Sequence, residues 1–361
     1  MNEYRLFSAD SHVTMPDAAW QEYLDPQFRD QAPRIEVTDD GEFRVFEGQR
    51  TRINAIANMA GRKPEEYSMN VRRFDDVRSG AWDPVERIKD QDIDGVDAEV
   101  LYFGGPLATA KDAGLRLNSF RGYNRWLAEF CSHAPDRLLG MAAIPIDTPE
   151  VALAEITAAA EMGLRGVYVS LFPLEGSYGD PEWDPMWKTL VERNMPFCLH
   201  VGGRRGVMPR FGTDMFMSDL VVSKLQMPEA ISELIFGLVL QKNPDLKVVS
   251  VEAQIGWISF VQYYMDHLWH KHRYWTNSQL TEEPSVYFKR QVFATFMEDP
   301  VGLRERGEIG IDNILWSNDY PHSETTWPNS KSLTDEWMGS FPDEEKQKIL
   351  WKNCASVYGL L

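Results

Sequence analysis

Two imidazoles and three carboxylates draw notice by where they fall: Asp10, His12, His200, Glu252 and Asp319. Each ends, or closely follows, a short apolar segment of strand character. Asp10 and His12 are separated by one residue, so on an extended chain their side chains share a face. Nitrogen and oxygen donors of this kind bind divalent cations. Three carboxylates gathered at one place need such a cation, because burying them without an opposite charge is costly. Taken singly, each residue has a plainer explanation. Asp10 reads as a turn cap, His200 as a bonded core histidine and Glu252 as a salt-bridge partner. Asp319 reads as the cap of the turn Asn318-Asp319-Tyr320-Pro321. Their conjunction at the ends of different strands points to a metal centre.

The elements that must position them alternate. Strand candidates cover residues 4–9, 95–103, 138–146, 166–171, 196–201, 247–252, 291–296 and 314–318. Several are continuous apolar runs, as in Val248-Val249-Ser250-Val251, the pattern of strands covered on both faces. Helix candidates lie between them. Residues 149–162 follow Thr148 as cap, carry Pro149 at the first position and stop at Gly163. Residues 184–194 and 299–307 read alike. Eight strand–helix repeats predict a distorted (β/α)8 TIM barrel of α/β class, in which reactive groups stand at the C-terminal ends of strands. No early glycine fingerprint of an open dinucleotide-binding sheet occurs. Gly202-Gly203 follows the fifth strand and lacks the later glycine.

Two stretches depart from the plain repeat. Residues 25–80 form an insertion after strand one. The turn Asp39-Asp40-Gly41 between apolar residues 35–37 and 43–46 predicts a hairpin inside it. Residues 203–218 form a long loop after strand five, at the mouth. No repeat or linker is evident, so residues 1–361 read as a single metal-dependent hydrolase-like barrel domain.

Composition narrows the partners. A formal net charge of −18 repels a phosphate backbone, so no nucleic-acid partner is expected. The N-terminus shows no leader pattern. The strongly apolar segment 234–240 is far short of the roughly 20 residues that span a bilayer, so no membrane partner is expected. Cys131, Cys198 and Cys354 form no C-x-x-C pair, and the expectation is three reduced, buried thiols in a cytoplasmic protein.

The segment Ser8-Ala9-Asp10-Ser11-His12-Val13, followed by Pro16 and Trp20, resembles the opening of the amidohydrolase-related family. That family holds the aminocarboxymuconate-semialdehyde decarboxylase-like and resorcylate decarboxylase-like enzymes. His200-Val201-Gly202-Gly203 resembles its fifth-strand metal histidine. Trp316-Ser317-Asn318-Asp319-Tyr320-Pro321-His322 resembles its eighth-strand segment. The resemblance reaches from one end of the chain to the other and is specific for the superfamily rather than for one reaction. It implies a mononuclear site of Asp10, His12, His200 and Asp319 with positions left open for water or substrate. One departure stands out. Family decarboxylases carry a histidine at the end of strand six, in an H-G-G-like segment. Here that segment reads Val251-Glu252-Ala253-Gln254-Ile255-Gly256-Trp257.

A sulfur-free, oxygen-rich ligand set suits Mn or Fe, and Zn also fits. One ion is expected, or two if Glu252 bridges. Hydrolysis of a small amide- or carboxylate-bearing substrate leads, because Glu252 adds a second acid or base to Asp319, which would take the proton of a metal-bound water. The alternatives are non-oxidative decarboxylation of a hydroxyaromatic or unsaturated carboxylic acid, and O2-dependent hydroxylation at a dinuclear iron or manganese centre. A non-catalytic partner subunit is a further alternative; it would lack ligands, and none of the four is missing. His322 is placed against the substrate or the metal's surroundings. Arg204 and Arg205 are candidate partners of a substrate carboxylate. Phe103, Phe296 and Trp327, with Phe172 and Tyr320, are candidates to line an apolar pocket. His267, His270 and His272 read as a solvated helix face. Tryptophans such as Trp337 and Trp351 suggest subunit contacts, hence a homo-oligomer, a dimer or larger, with a hetero-oligomer containing a related subunit as the alternative.

Overall fold

The computed structural model describes residues 4–54, 56–68, 70–103, 107–202, 210 and 212–361, apart from the side chains of residues 54, 56 and 103. Its strands, in chain order, are β1 (Phe7–Val13), β2 (Arg34–Thr38), β3 (Gly41–Phe46), β4 (Gln49–Thr51), β5 (Ile53–Asn54), β6 (Asn70–Val71), β7 (Ala98–Phe103), β8 (Leu138–Ala143), β9 (Gly166–Ser170), β10 (Phe197–His200), β11 (Val248–Val251), β12 (Val292–Phe296) and β13 (Ile314–Trp316).

β1 and β7–β13 form one sheet of eight parallel strands in the order β1-β7-β8-β9-β10-β11-β12-β13. These are the eight strands expected from the sequence, in the same order. The two edges approach each other just past β13. Asp319 N donates to Asp10 O at 2.9 Å, and Asn318 N donates to Ser8 Oγ at 2.9 Å. Edge strands with unpaired amides are a liability, and curling the sheet until its edges meet removes it.

The strands sort their side chains into two layers. Ala9, Val100, Tyr102, Met141, Cys198, Val249 and Leu315 pack together inside the barrel. Leu101, Val167, Leu199, Val248, Ala294 and Trp316 face outward against helices that bring Leu127, Ile156, Trp187 and Ile231. Both faces of each strand are covered, which is why the strands read as continuous apolar runs rather than alternating ones.

The helices follow their caps. Thr148 Oγ1 accepts from Val151 N at 3.3 Å at the start of the helix Pro149–Glu161. The helix Asp184–Glu192 lies where its pattern predicts. The expected helix over residues 299–307 is instead two short pieces, Pro300–Arg304 capped by Asp299 and Arg306–Ile309.

Between β1 and β7, the expected hairpin is present: β2 pairs antiparallel with β3, Ile35 opposite Arg44 and Val37 opposite Glu42. β4 adds a third strand that the sequence pattern does not announce. Trp337 packs on the outer core. Trp351 packs on the inner one, its ring 5.9 Å from that of Phe7. Among the described residues, no helix is long and apolar enough to cross a membrane.

Candidate metal centre

Three departures from regular strand geometry bring the ligands to the mouth. The first is in β1. Phe7 and Ala9 face the barrel interior, so strict alternation would turn Asp10 and His12 outward. A bulge intervenes: Ser8 pairs with Glu99 but Ser11 pairs with Leu101, so β1 has one residue too many between them. Bulges re-aim side chains, and this one turns Asp10 inward and puts His12 in register with inward-facing Tyr102. The second is at Glu252. Val249 and Val251 face inward, so residue 252 would face the helices. Its φ of 61° breaks the strand, and its N–H is taken up by Thr295 Oγ1 at 2.9 Å. The third is Asp319, with φ 52°. Left-handed backbone at non-glycine residues is costly and gathers at working sites.

The result is a tight cluster. His12 Nε2 lies 3.4 Å from Asp10 Oδ1 and 3.2 Å from Asp319 Oδ1. His200 Nε2 lies 3.5 Å from Asp10 Oδ1 and 3.6 Å from Glu252 Oε2. His322 Nδ1 lies 3.0 Å from Asp319 Oδ1, and its ring stacks on that of His12 with centroids 3.7 Å apart. Asp10, His12, His200 and Glu252 each offer a ligand atom within 4.8 Å of the others. So do His12, Glu252, Asp319 and His322.

The polar atoms test whether a cation fits. Both Asp10 oxygens, both His12 nitrogens, His200 Nε2 and Asp319 Oδ1 are buried and make no hydrogen bond of good geometry. Buried polar groups are nearly always bonded, so five of these atoms in one place, His12 contributing only Nε2, call for a common partner. His200 Nδ1 meets Val201 O at 2.6 Å, which directs Nε2 to the centre. The donors are nitrogen and oxygen only; Cys198 lies in the inner core, not among them. The set fits a divalent cation such as Mn2+.

The electrostatics agree. Burial would raise the Asp10 carboxyl, but the His12 and His200 imidazoles outweigh it and hold it below the usual range. Burial likewise opposes ionisation of Asp319, and His322 and His12 outweigh it. Burial would lower His12, yet Asp10 and Asp319 lift it to about 10. Glu252 runs the other way: burial pushes it up and Asp319 adds to the push, against Lys224 and His200.

The mouth is braced from outside. Asn318 Oδ1 accepts from Ser8 Oγ at 2.9 Å and from Ser11 Oγ at 2.8 Å. Arg87, fully buried, pairs with Glu99 and donates to His12 O at 2.7 Å. These bonds fix the backbone on either side of the bulge.

Not every expected residue joins the cluster. Phe296 is in the outer core: it shares a face with Val292 and Ala294, so alternation turns it to the helices and away from the mouth. Trp327 is held elsewhere, by Nε1 to Asp90 O at 3.0 Å and by the Arg78 guanidinium 4.0 Å above its ring. Arg204, Arg205 and the side chain of Phe103 lie outside the described residues. His270 pairs with Glu283 at 2.7 Å on the exposed face of the helix Ile258–His272.

Two kinds of residue escaped the sequence reading. Tyr102 and Tyr168 place their rings 5.3 and 5.5 Å from that of His200. Burial, then Glu252 and Asp10, raise the Tyr168 hydroxyl to about 12. Their inward positions on β7 and β9 were available as a signal. Lys224 had none. It ends the helix Met215–Lys224, and its Nζ lies 3.4 Å from Glu252 Oε1. A cavity of about 280 Å3 opens beside Tyr168, with Phe120, Ile144, Ile146 and Leu174 as apolar walls and Arg116, Asp147 and Ser170 as polar ones.

A family model described as amidohydrolase matches residues 7–360. The chain belongs to the amidohydrolase family. It is a metal-dependent enzyme of that superfamily, as the motifs around its metal centre led us to expect. A γ-resorcylate decarboxylase of Rhizobium sp. is 24% identical over 285 residues, covering 69% of this amidohydrolase and 81% of the relative. The crystal structure of 5-carboxyvanillate decarboxylase LigW from Sphingomonas paucimobilis superposes with a TM-score of 0.73 at 19% identity, covering 99% of both chains. A dihydroxybenzoic acid decarboxylase from Polaromonas sp. JS666, solved with bound manganese and 2-nitroresorcinol, superposes with a TM-score of 0.66 at 17% identity, over 99% of this chain and 98% of that one.

Proposed function

We propose that this amidohydrolase is a divalent-metal decarboxylase of a hydroxyaromatic carboxylic acid. The observation that carries the reading is the likeness to γ-resorcylate decarboxylase along 69% of the chain, joined to two overlapping donor groups, Asp10–His12–His200–Glu252 and His12–Glu252–Asp319–His322. That likeness favours carbon–carbon cleavage over the hydrolysis that the extra carboxylate suggested. A bound divalent ion supplies Lewis acidity to the substrate's carboxylate and a neighbouring oxygen.

The chain's own residues do the rest. Asp10, His12, His200 and Asp319 are the ligands, and the β1 bulge holds the first two. Glu252 is the proton donor. Its side chain is 18% exposed, whereas that of Asp319 is 2% exposed, so Glu252 is the carboxyl a substrate meets. It gives its proton to the ring carbon as the bond to the carboxyl carbon breaks. Carbon dioxide leaves, and the bonding electron pair stays on the ring to form the new C–H bond. The apolar walls beside Tyr168 suit an aromatic ring.

The test is the full chain loaded with Mn2+ and given γ-resorcylate, 5-carboxyvanillate and other hydroxybenzoates. Carbon dioxide release matched by loss of substrate is expected, with Glu252→Gln reducing it about 10²-fold or more. Turnover of amides with no carbon dioxide from any hydroxybenzoate would replace this reading with hydrolysis.

A further inference from the structure

The sixth-strand position raises a question of charge. Glu252 shares one group of close donor atoms with Asp10 and another with Asp319, so three carboxylates ring the mouth, and one divalent ion leaves a negative charge over. A second ion would remove it, and Glu252, Asp319 and His322 are placed to hold one. The structure supplies a different cation.

Lys224 Nζ lies 3.4 Å from Glu252 Oε1, 3.2 Å from Glu252 O and 3.3 Å from Glu324 Oε2. Three acceptors match the three donors of an ammonium group. The side chain is only 17% exposed, so it is enclosed rather than waving in solvent. Burial works against its charge, and Glu252, Glu324 and Asp319 outweigh burial and hold it above the usual lysine range. Glu252 is thereby divided. Oε2 faces His200 and the metal cluster, while Oε1 is held by the lysine.

We propose that Lys224 takes the place of a second cation: it is the positioning residue that fixes Glu252 and keeps the centre mononuclear. Lys224 supplies beside Glu252 the positive charge that a second ion would otherwise bring there. Since all three Lys224 donors are engaged, its role is to hold Glu252, not to bind substrate. With Oε1 tied back, Glu252 has one free oxygen with which to reach a substrate. It cannot also bridge two ions. This inference rests on Glu252 acting as the proton donor.

The experiment counts ions. The full chain is loaded with excess Mn2+, freed of loose metal by gel filtration and assayed for manganese per chain, with electron paramagnetic resonance to detect coupled ion pairs. Wild type is expected to hold one ion with an uncoupled six-line signal. Lys224→Met is expected to hold two, with a spin-coupled signal, and to lose about 10–100-fold in kcat. Lys224→Arg is expected to return to one ion and to most of the activity. A wild-type chain that holds two coupled ions overturns the proposal. So does a neutral variant that still holds one. Should Lys224→Met not fold, Lys224→Gln makes the same comparison, and the wild-type count stands alone in either case. Failure of the decarboxylase reading is told apart by product: a chain with one ion, converted to two by Lys224→Met, that releases no carbon dioxide leaves the role of Lys224 intact.

Discussion

His200 carries the clearest prediction at the scale of single residues. Its Nδ1 is engaged by Val201 O and its Nε2 is buried without a hydrogen bond, which makes the ring a candidate ligand. His200→Ala is expected to abolish retention of Mn2+ through gel filtration. Wild type gains about 2.7 kcal/mol of stability at free metal a hundred times its Kd. The variant's melting temperature should not respond to Mn2+ at all, and a variant that still melts higher with added metal would remove His200 from the ligand set. The candidate ligands were legible in the sequence because each sits where an apolar run ends. Lys224 was not legible: one lysine at the end of a helix looks like any other, and only the fold brings that helix end to Glu252, just past β11. Phe296 was misplaced for the opposite reason. An aromatic at a strand end says nothing of which face it is on until the register is known.

At the scale of elements, the centre depends on β1 holding its bulge against β7. Arg87, from the helix Pro84–Asp94, reaches Glu99 on β7 and His12 O on β1, and ties the two strands to that helix. Both side chains are buried. Removing one partner of a buried pair leaves the other charge uncompensated, at a cost of about 3–5 kcal/mol. Arg87→Met is therefore expected to lower the unfolding free energy obtained from urea titration by that much, and adding Glu99→Gln should restore a good part. A loss under about 1 kcal/mol for the single variant would show that the pair does not brace the strands. Strand identities and order were readable from the apolar runs, and the hairpin from its Asp-Asp-Gly turn. The bulge was not. It adds one residue to a pairing, and nothing in the letters of Ser8 to Ser11 shows which residue is extra.

At the scale of the whole molecule, the three cysteines report on global opening. Cys198 and Cys354 lie in the inner core and Cys131 in the outer, all unpaired and buried. Burial pushes the thiols of Cys131 and Cys198 up to about 12 and raises that of Cys354 further. Buried, protonated thiols are poor nucleophiles, so at pH 8 a disulfide reagent should find none until the chain unfolds. The sign of the pH effect follows. An unfolded thiol loses its proton near pH 8.5 and a native one does not, so these groups lower native stability as pH rises from about 8.5 towards 12. Fast labelling of any one thiol at pH 8 would contradict the packing. Taken together, the sequence by itself determined the eight-stranded barrel, the family and the candidate side chains for a metal centre. Apolar patterning and local motifs are written residue by residue, and a barrel's reactive groups stand at its strand ends. Only the tertiary structure decided that a β1 bulge and a left-handed residue 252 aim those side chains inward, and that a lysine from a distant helix claims one oxygen of Glu252. Register and long-range charge pairing exist only once the chain has closed on itself.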